Sequence, residues 1–97
     1  MLLHIDYDDM FVLSNEPVVN QSLSLEALGL LYTLYSNRNN ISNFRLENCN
    51  KHNTKEQIEK ALNELIDNKY IIKDYKGKKD IYTVFYHQHK KDKEYER

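Results

Sequence analysis

The sequence has few of the residues on which secreted and membrane proteins depend. Among 97 residues there is a single cysteine, one proline, two glycines and no tryptophan. One cysteine excludes an internal disulfide and is typical of a reducing compartment. No apolar run approaches the roughly 18 residues needed to cross a bilayer, and the N-terminus lacks the basic region of a signal peptide. We therefore expect a cytoplasmic protein.

Motifs for catalysis and metal binding are also missing. The sequence contains no phosphate-binding loop, no Gly-x-Ser-x-Gly elbow and no pairing of a nucleophile with a base. Cys49 and His52 could be combined with His87 and His89, but a His-x-His pair lacks zinc spacing. We expect no enzyme activity, no metal site and no cofactor.

Basic residues are absent from the first third of the chain. Residues 1–37 contain five acids and no Lys or Arg, whereas the rest holds all fourteen bases and the other ten acids, a net charge of +4. The whole chain has a net charge of −1, which argues against a strongly basic nucleic-acid binder. The uneven distribution still permits one basic face.

The apolar content, 40% of the residues, is enough for one small core. A helix is predicted after Ser24, whose side chain suits an N-cap, and it runs to Ser36. Its surface is apolar nearly all round, so we expect it to be covered on most sides. Gly29 is expected to admit another backbone at close range. One face is formed by residues at helical spacing, namely Leu28, Leu31, Tyr32 and Tyr35.

Weaker signals surround this helix. Alternating apolar residues in the first thirteen positions predict one or two short strands, which end before Pro17 because proline cannot donate to a ladder. Val18 and Val19 are expected to attach the following loop to the core. Ile41 is read as a minimal strand, and residues 43–49 as a second, short helix.

The third predicted helix begins at Thr54, which forms a capping box with Gln57. An i, i+3, i+4, i+7 stripe of apolar residues follows, and the helix should end near Asn68, since Asn tolerates a left-handed conformation. Two strands, Tyr70–Tyr75 and Ile81–Tyr86, flank a loop that contains Gly77. Residues 87–97 are predicted to be a polar tail.

This order of elements is that of a winged helix-turn-helix. We predict an α+β winged helix-turn-helix fold, with three helices, a C-terminal β-hairpin wing and an extra N-terminal strand. The expected divisions are an acidic N-terminal strand or arm at 1–9, the winged-helix domain at 10–86 and the polar tail at 87–97.

The stretches LSLEALGLLYTLYS, TKEQIEKALNELIDNKYII and IYTVFY also resemble one family. They are similar to the winged-helix domain at the N-terminus of phage and plasmid replication proteins of low-GC Gram-positive bacteria, the replisome-organiser or DnaD-like type. The resemblance covers about Met10 to Tyr86. It implies double-stranded DNA binding in replication or transcription control. Lys69 stands where that family usually has Gly.

Candidate DNA contacts fall into three groups. Residues around the start of the third helix could meet phosphate, which a helix N-terminus favours; residues along its exposed face could read base edges; and lysines of the hairpin tip could contact phosphate. In that order the groups are Lys51, His52, Asn53 and Lys55; Gln57, Lys60 and Asn63; and Lys76, Lys78 and Lys79.

Other interpretations stay open. Acids outnumber lysines on the third helix, so its outer face could be merely solvated. A protein-interaction module is the main alternative: an adaptor that binds a replication or regulatory protein through its acidic N-terminal edge and does not bind DNA itself. The N-terminal strand could also pair with its copy in a homodimer.

Overall fold

In the computed structural model, helices and one hairpin pack as a small α+β fold. The structure describes residues 1–3, 12–43, 45–46, 49–76 and 79–89. These residues form three α helices and a two-stranded antiparallel sheet. The elements are α1 (Glu16–Asn20), α2 (Leu25–Ser36), a 3₁₀ helix (Arg38–Asn43), α3 (Lys55–Asp67), β1 (Ile71–Lys76) and β2 (Lys79–Val84).

Helix α2 forms one side of the core. Its predicted N-cap is confirmed, because the Ser24 hydroxyl accepts a hydrogen bond from the Ala27 N–H at 3.1 Å. The expectation that α2 is covered on most sides is wrong: Leu25 is 86% exposed, and only one face is buried. The buried residues of α2 are Ala27, Leu30, Leu31, Leu34 and Tyr35.

The expectation for Gly29 is also wrong. A Cβ atom placed on this residue would meet no atom within 4 Å. The residue lies on the exposed side of α2, so no neighbouring backbone requires a glycine there. Gly29 therefore lowers the helix propensity of α2 without a packing benefit among the described residues.

A short helix, α1, replaces the loop that we predicted around Pro17. Proline suits the first turn of a helix, where its fixed φ is appropriate and its missing N–H is not needed, and Pro17 lies in that turn and is buried. Val18 and Val19 are 52% and 68% exposed, so they do not attach this segment to the core. Proline itself does so.

The region between α2 and α3 differs from both predictions made for it. Ile41 lies in the 3₁₀ helix and not in a strand. Within the predicted second helix, the described residues Arg45, Leu46 and Cys49 carry no α-helical structure, and the Cys49 N–H closes a turn on the Leu46 carbonyl at 3.2 Å.

Helix α3 begins and ends as its sequence indicates, with one shift. The capping box of Thr54 and Gln57 is confirmed, and Asn68 is the C-cap residue. Asn68 has a φ of −95°, however, and the left-handed residue is Lys69, at φ 69°. The buried face of α3 consists of Ile58, Ala61 and Leu65, which pack against α2.

The hairpin is longer towards its tip than predicted. Strands β1 and β2 pair from Ile71 with Val84 to Lys76 with Lys79, which leaves two residues, 77 and 78, between the strands. The predicted N-terminal strand falls largely on residues 4–11, outside the described residues, while Met1–Leu3 are exposed without regular structure. None of the described helices is long and apolar enough to cross a membrane.

Tyr70, between α3 and β1, joins distant parts of the chain. Its ring is fully buried, and its hydroxyl donates to the Glu16 carboxylate at 2.9 Å and accepts from the Asn20 amide at 2.9 Å. Burial, and then the hydrogen bond to Glu16, raise the pKa of Tyr70. The Gln88 N–H also donates to Glu16, at 3.2 Å. The chain after β2 is thereby held against α1.

Replacing Gly29 with alanine should stabilise the protein. The added methyl group meets no atom, and alanine favours a helix interior over glycine by about 0.8–1.0 kcal/mol. We expect the free energy of unfolding, measured by urea denaturation, to rise by about that amount. Ala27→Gly, at a buried position of the same helix, should lower it by at least about 1 kcal/mol. A loss of stability in Gly29→Ala would show that the site is obstructed.

Replacing Lys69 with glycine should also be stabilising, because Lys69 holds a left-handed φ of 69°. The left-handed conformation destabilises a residue that has a Cβ by about 1 kcal/mol relative to glycine. Lys69→Ala provides the matched control, since it removes the charge and keeps the backbone penalty. If Lys69→Ala gains as much as Lys69→Gly in the same urea experiment, the benefit comes from the charge and not from the backbone.

Candidate nucleic-acid interface

The loop that leads into α3 is shaped by its own asparagine and glutamine side chains. The Asn50 side-chain oxygen accepts the His52 N–H at 2.8 Å, and the Asn50 carbonyl accepts the Asn53 N–H at 3.2 Å. The Gln57 side-chain oxygen accepts both the Thr54 N–H at 2.9 Å and the Asn53 side-chain amide at 3.1 Å. Residues 50–57 therefore form a braced turn at the helix start.

The predicted contacts near α3 all face solvent. Every one of them is exposed, namely Lys51, His52, Asn53, Lys55, Gln57, Lys60 and Asn63. The first five lie within one turn of the start of α3, and Lys60 and Asn63 lie further along the helix. The structure thus brings together the four residues that we expected to meet phosphate and places one base-reading candidate, Gln57, among them, with the other two further along the helix.

For the candidate DNA contacts of the hairpin, the strand pairing gives the backbone positions of Lys76 and Lys79. Lys76 ends β1 and pairs with Lys79, which begins β2, so both lie at the hairpin tip. Lys78 lies outside the described residues. The role of the three lysines in DNA binding stays a prediction from the sequence.

The outward stripe of α3 carries mixed charge. Glu56, Lys60, Asn63 and Asp67 follow one another at spacings of four, three and four residues, which places them on one line along the helix. Asn63 is therefore flanked by Lys60 and Asp67. This face is not a uniformly basic surface, and any DNA contact along it must be made around the two carboxylates.

One acidic residue of α3, Glu64, binds Ser24 at the start of α2. Its carboxylate accepts the Ser24 N–H at 2.6 Å and the Ser24 hydroxyl at 2.8 Å. A negative charge at that point also favours the N-terminal end of α2, where the helix dipole is positive. Glu64 is thus a structural contact between α2 and α3, and its charge is offset at the end of α2.

A shallow groove of about 150 Å³ adjoins the braced turn. Gly29 and Thr33 of α2 line one side, and Asn50, Asn53 and Gln57 line the other. Sequence reasoning missed Asn50 and Gly29 as parts of this surface. The Asn-x-x-Asn spacing of residues 50–53 is a signal for the turn, but no local signal relates it to Gly29, which is twenty-one residues earlier.

Cys49 also lines this groove. Burial, only partly offset by a backbone hydrogen bond, raises the pKa of its thiol, and a protonated thiol is neither a strong nucleophile nor a metal ligand. Within residues 1–3, 12–43, 45–46, 49–76 and 79–89, no group of three or more His, Cys, Asp or Glu side chains could hold a metal ion. The described residues at the start of α3 offer amides, lysines and backbone N–H groups for binding, with the carboxylates of Glu26 and Glu56 nearby.

The first turn of α3 leaves two amides for an external acceptor. The capping box uses the N–H groups of Thr54 and Gln57. The N–H groups of Lys55 and Glu56, in the same turn, have no acceptor within the helix. Together with Lys51 and Lys55, they suit a phosphate oxygen.

Gln57 should matter more for the stability of α3 than Lys60 or Asn63 do. Gln57→Ala removes the acceptor for the Thr54 N–H, so we expect the free energy of unfolding to fall by about 1 kcal/mol. Gln57→Glu keeps that acceptor and should retain full stability. Lys60→Ala and Asn63→Ala serve as controls and should change stability by less than about 0.5 kcal/mol in thermal unfolding. Equal losses in all four variants would contradict the bracing role.

Comparison with known proteins provides no external assignment for this surface. No family model, no curated protein and no solved structure matches the chain. A function must therefore be argued from the side chains and backbone described above.

Proposed function

We propose that this chain is a winged helix-turn-helix protein that binds double-stranded DNA and acts in phage or plasmid replication or in transcription control. The observation that carries the proposal is the exposed, braced start of α3. Lysines, amide side chains and unused helix N–H groups lie there within one helical turn. Such a set suits a phosphate backbone and the adjacent base edges.

The order of elements supports the winged-helix part of this proposal. Helix α2, the capped helix α3 and the hairpin β1–β2 follow one another in the chain, and α3 packs against both α2 and β1. A helix braced from behind can enter a major groove while a hairpin meets the flanking phosphates. In this arrangement α3 is the recognition helix, and Lys76, Lys78 and Lys79 belong to the wing.

One observation favours the adaptor as a second candidate. The outward stripe of α3 contains Glu56 and Asp67, and the nearby Glu59 is also exposed. These carboxylates oppose DNA and would suit a basic protein surface. The adaptor hypothesis also keeps the acidic N-terminal edge as a binding surface, with a replication or regulatory protein as partner.

Salt dependence tests the DNA proposal. If five lysines, at 51, 55, 76, 78 and 79, contact phosphates, the logarithm of affinity should fall with the logarithm of salt with a slope of about −4.5. That corresponds to a loss of roughly 500-fold between about 50 and about 200 mM salt. Fluorescence anisotropy of a labelled AT-rich duplex measures it. Absence of binding at the lower salt would reject the proposal and favour the adaptor.

Lysine-to-alanine variants, measured in the same salt titration, test whether the hairpin lysines contact phosphate. Lys78→Ala combined with Lys79→Ala should weaken binding to all duplexes alike and reduce the slope by about 1.8. Removing the same charge from the tail, with Lys90→Ala and Lys91→Ala, should reduce it less. A slope that falls equally in both pairs would show that only the net charge matters.

Base reading is tested on the outward stripe of α3. Asn63→Ala should change the preference among duplex sequences, since an asparagine amide reads adenine. Asp67→Asn, on the same stripe, should strengthen binding to all sequences because it removes a repulsive carboxylate. If both variants leave the order of preference unchanged, α3 does not read bases through this stripe.

A further inference from the structure

The side-chain amide of Gln57 has a fixed orientation at the start of α3. Its oxygen accepts the Thr54 N–H at 2.9 Å and the Asn53 side-chain amide at 3.1 Å. A backbone N–H can only donate, so the end of the Gln57 amide that faces Thr54 must be the oxygen. The backbone of Thr54 therefore determines that the N–H₂ end of Gln57 is the end left for another molecule.

These two hydrogen bonds leave Gln57 as a donor. An amide oxygen has two lone pairs, and the Thr54 N–H and the Asn53 amide use both of them. The side chain is exposed, and among the described residues its N–H₂ group donates to none. A free glutamine offers a donor and an acceptor side by side, whereas Gln57 offers two donors and no acceptor.

The four bases differ in what they present to such a group in the major groove. Guanine presents two acceptors, N7 and O6, whereas adenine presents one acceptor beside an N6 donor. Cytosine presents a donor, and thymine presents one acceptor beside its methyl group. The usual paired contact of glutamine with adenine needs the amide oxygen as an acceptor, and in Gln57 that oxygen is occupied. Guanine is therefore the base whose edge fits Gln57 best.

We propose that Gln57 is a specificity-determining residue of the DNA-binding surface and that it selects guanine through its N–H₂ group. This inference rests on the proposed DNA binding and names the base that the start of α3 reads. Residue type alone indicates adenine for a glutamine. The difference arises because the capping box of α3 takes up the acceptor half of the side chain.

Lys60 strengthens the same preference. It lies three residues after Gln57, so the two side chains are neighbours on the surface of α3, and both are exposed. A lysine ammonium group also donates only, and it suits the N7 and O6 atoms of guanine. The first residues of a recognition helix are the ones that contact base edges. Two adjacent side chains at that end of α3 thus call for acceptors on the DNA.

Exchanging the donor of Gln57 for an acceptor tests the proposal. Gln57→Glu keeps an oxygen for the Thr54 N–H and replaces the N–H₂ group with a second oxygen, which suits the N4 donor of cytosine. Duplexes are selected from a randomised library with each protein, and their affinities are measured by fluorescence anisotropy. At one position of the site, wild type should prefer guanine over adenine by at least about 5-fold. Gln57→Glu should prefer cytosine there.

Asn50→Asp is the matched control. It adds the same negative charge to the same turn and keeps the side-chain oxygen that accepts the His52 N–H. It should weaken binding to all duplexes alike and leave the guanine preference unchanged. Urea denaturation should show that both variants are as stable as the wild type, because neither loses an acceptor.

The outcomes separate this inference from the proposed function. If wild type binds duplexes but Gln57→Glu selects the same bases, Gln57 does not determine specificity, although DNA binding stands. A wild-type preference for adenine at the position that Gln57→Glu changes would also overturn the inference. So would the same change of preference in Asn50→Asp, since charge alone would then explain it. Absence of DNA binding at low salt would overturn the inference and the proposed function together.

Discussion

The structure depends on one buried hydroxyl group, that of Tyr70. A buried phenol needs a hydrogen-bond partner, because an unsatisfied polar group in the core costs roughly 1–3 kcal/mol. Glu16 and Asn20 of α1 supply the partners, and Glu16 in turn accepts the N–H of Gln88. Satisfying Tyr70 therefore fixes α1 and the chain after β2 relative to the junction of α3 and β1.

Which face of α3 is available for binding depends on which face is buried. Ile58, Ala61 and Leu65 are buried against the rest of the core, and Glu64 holds the N-terminal end of α2. The opposite stripe is left to solvent. Gln57 contributes to stability as well as to the proposed binding surface, because its side-chain oxygen accepts the Thr54 N–H at the start of the helix. Only its N–H₂ group is then available for a base.

The proposed DNA-binding surface combines the start of α3 with the hairpin tip, where Lys76 ends β1 and pairs with Lys79 at the start of β2. The homodimer that the sequence predicts through the N-terminal strand stays a prediction, because that strand falls largely on residues 4–11, outside the described residues. If such a twofold dimer forms, the distance between its two α3 helices determines the spacing of half-sites on DNA.

Local patterns were enough to predict α2, α3 and the hairpin. Ser24 and Thr54 could be recognised as caps because a cap and its partner lie within four residues of each other, and the exposure of Lys60 and Asn63 follows from helical periodicity. Three features depended on tertiary packing, which local patterns do not contain. They are the position of Pro17 in α1, the open space beside Gly29 and the left-handed conformation of Lys69. That information lies in contacts between residues far apart in sequence, so only the tertiary structure decided them.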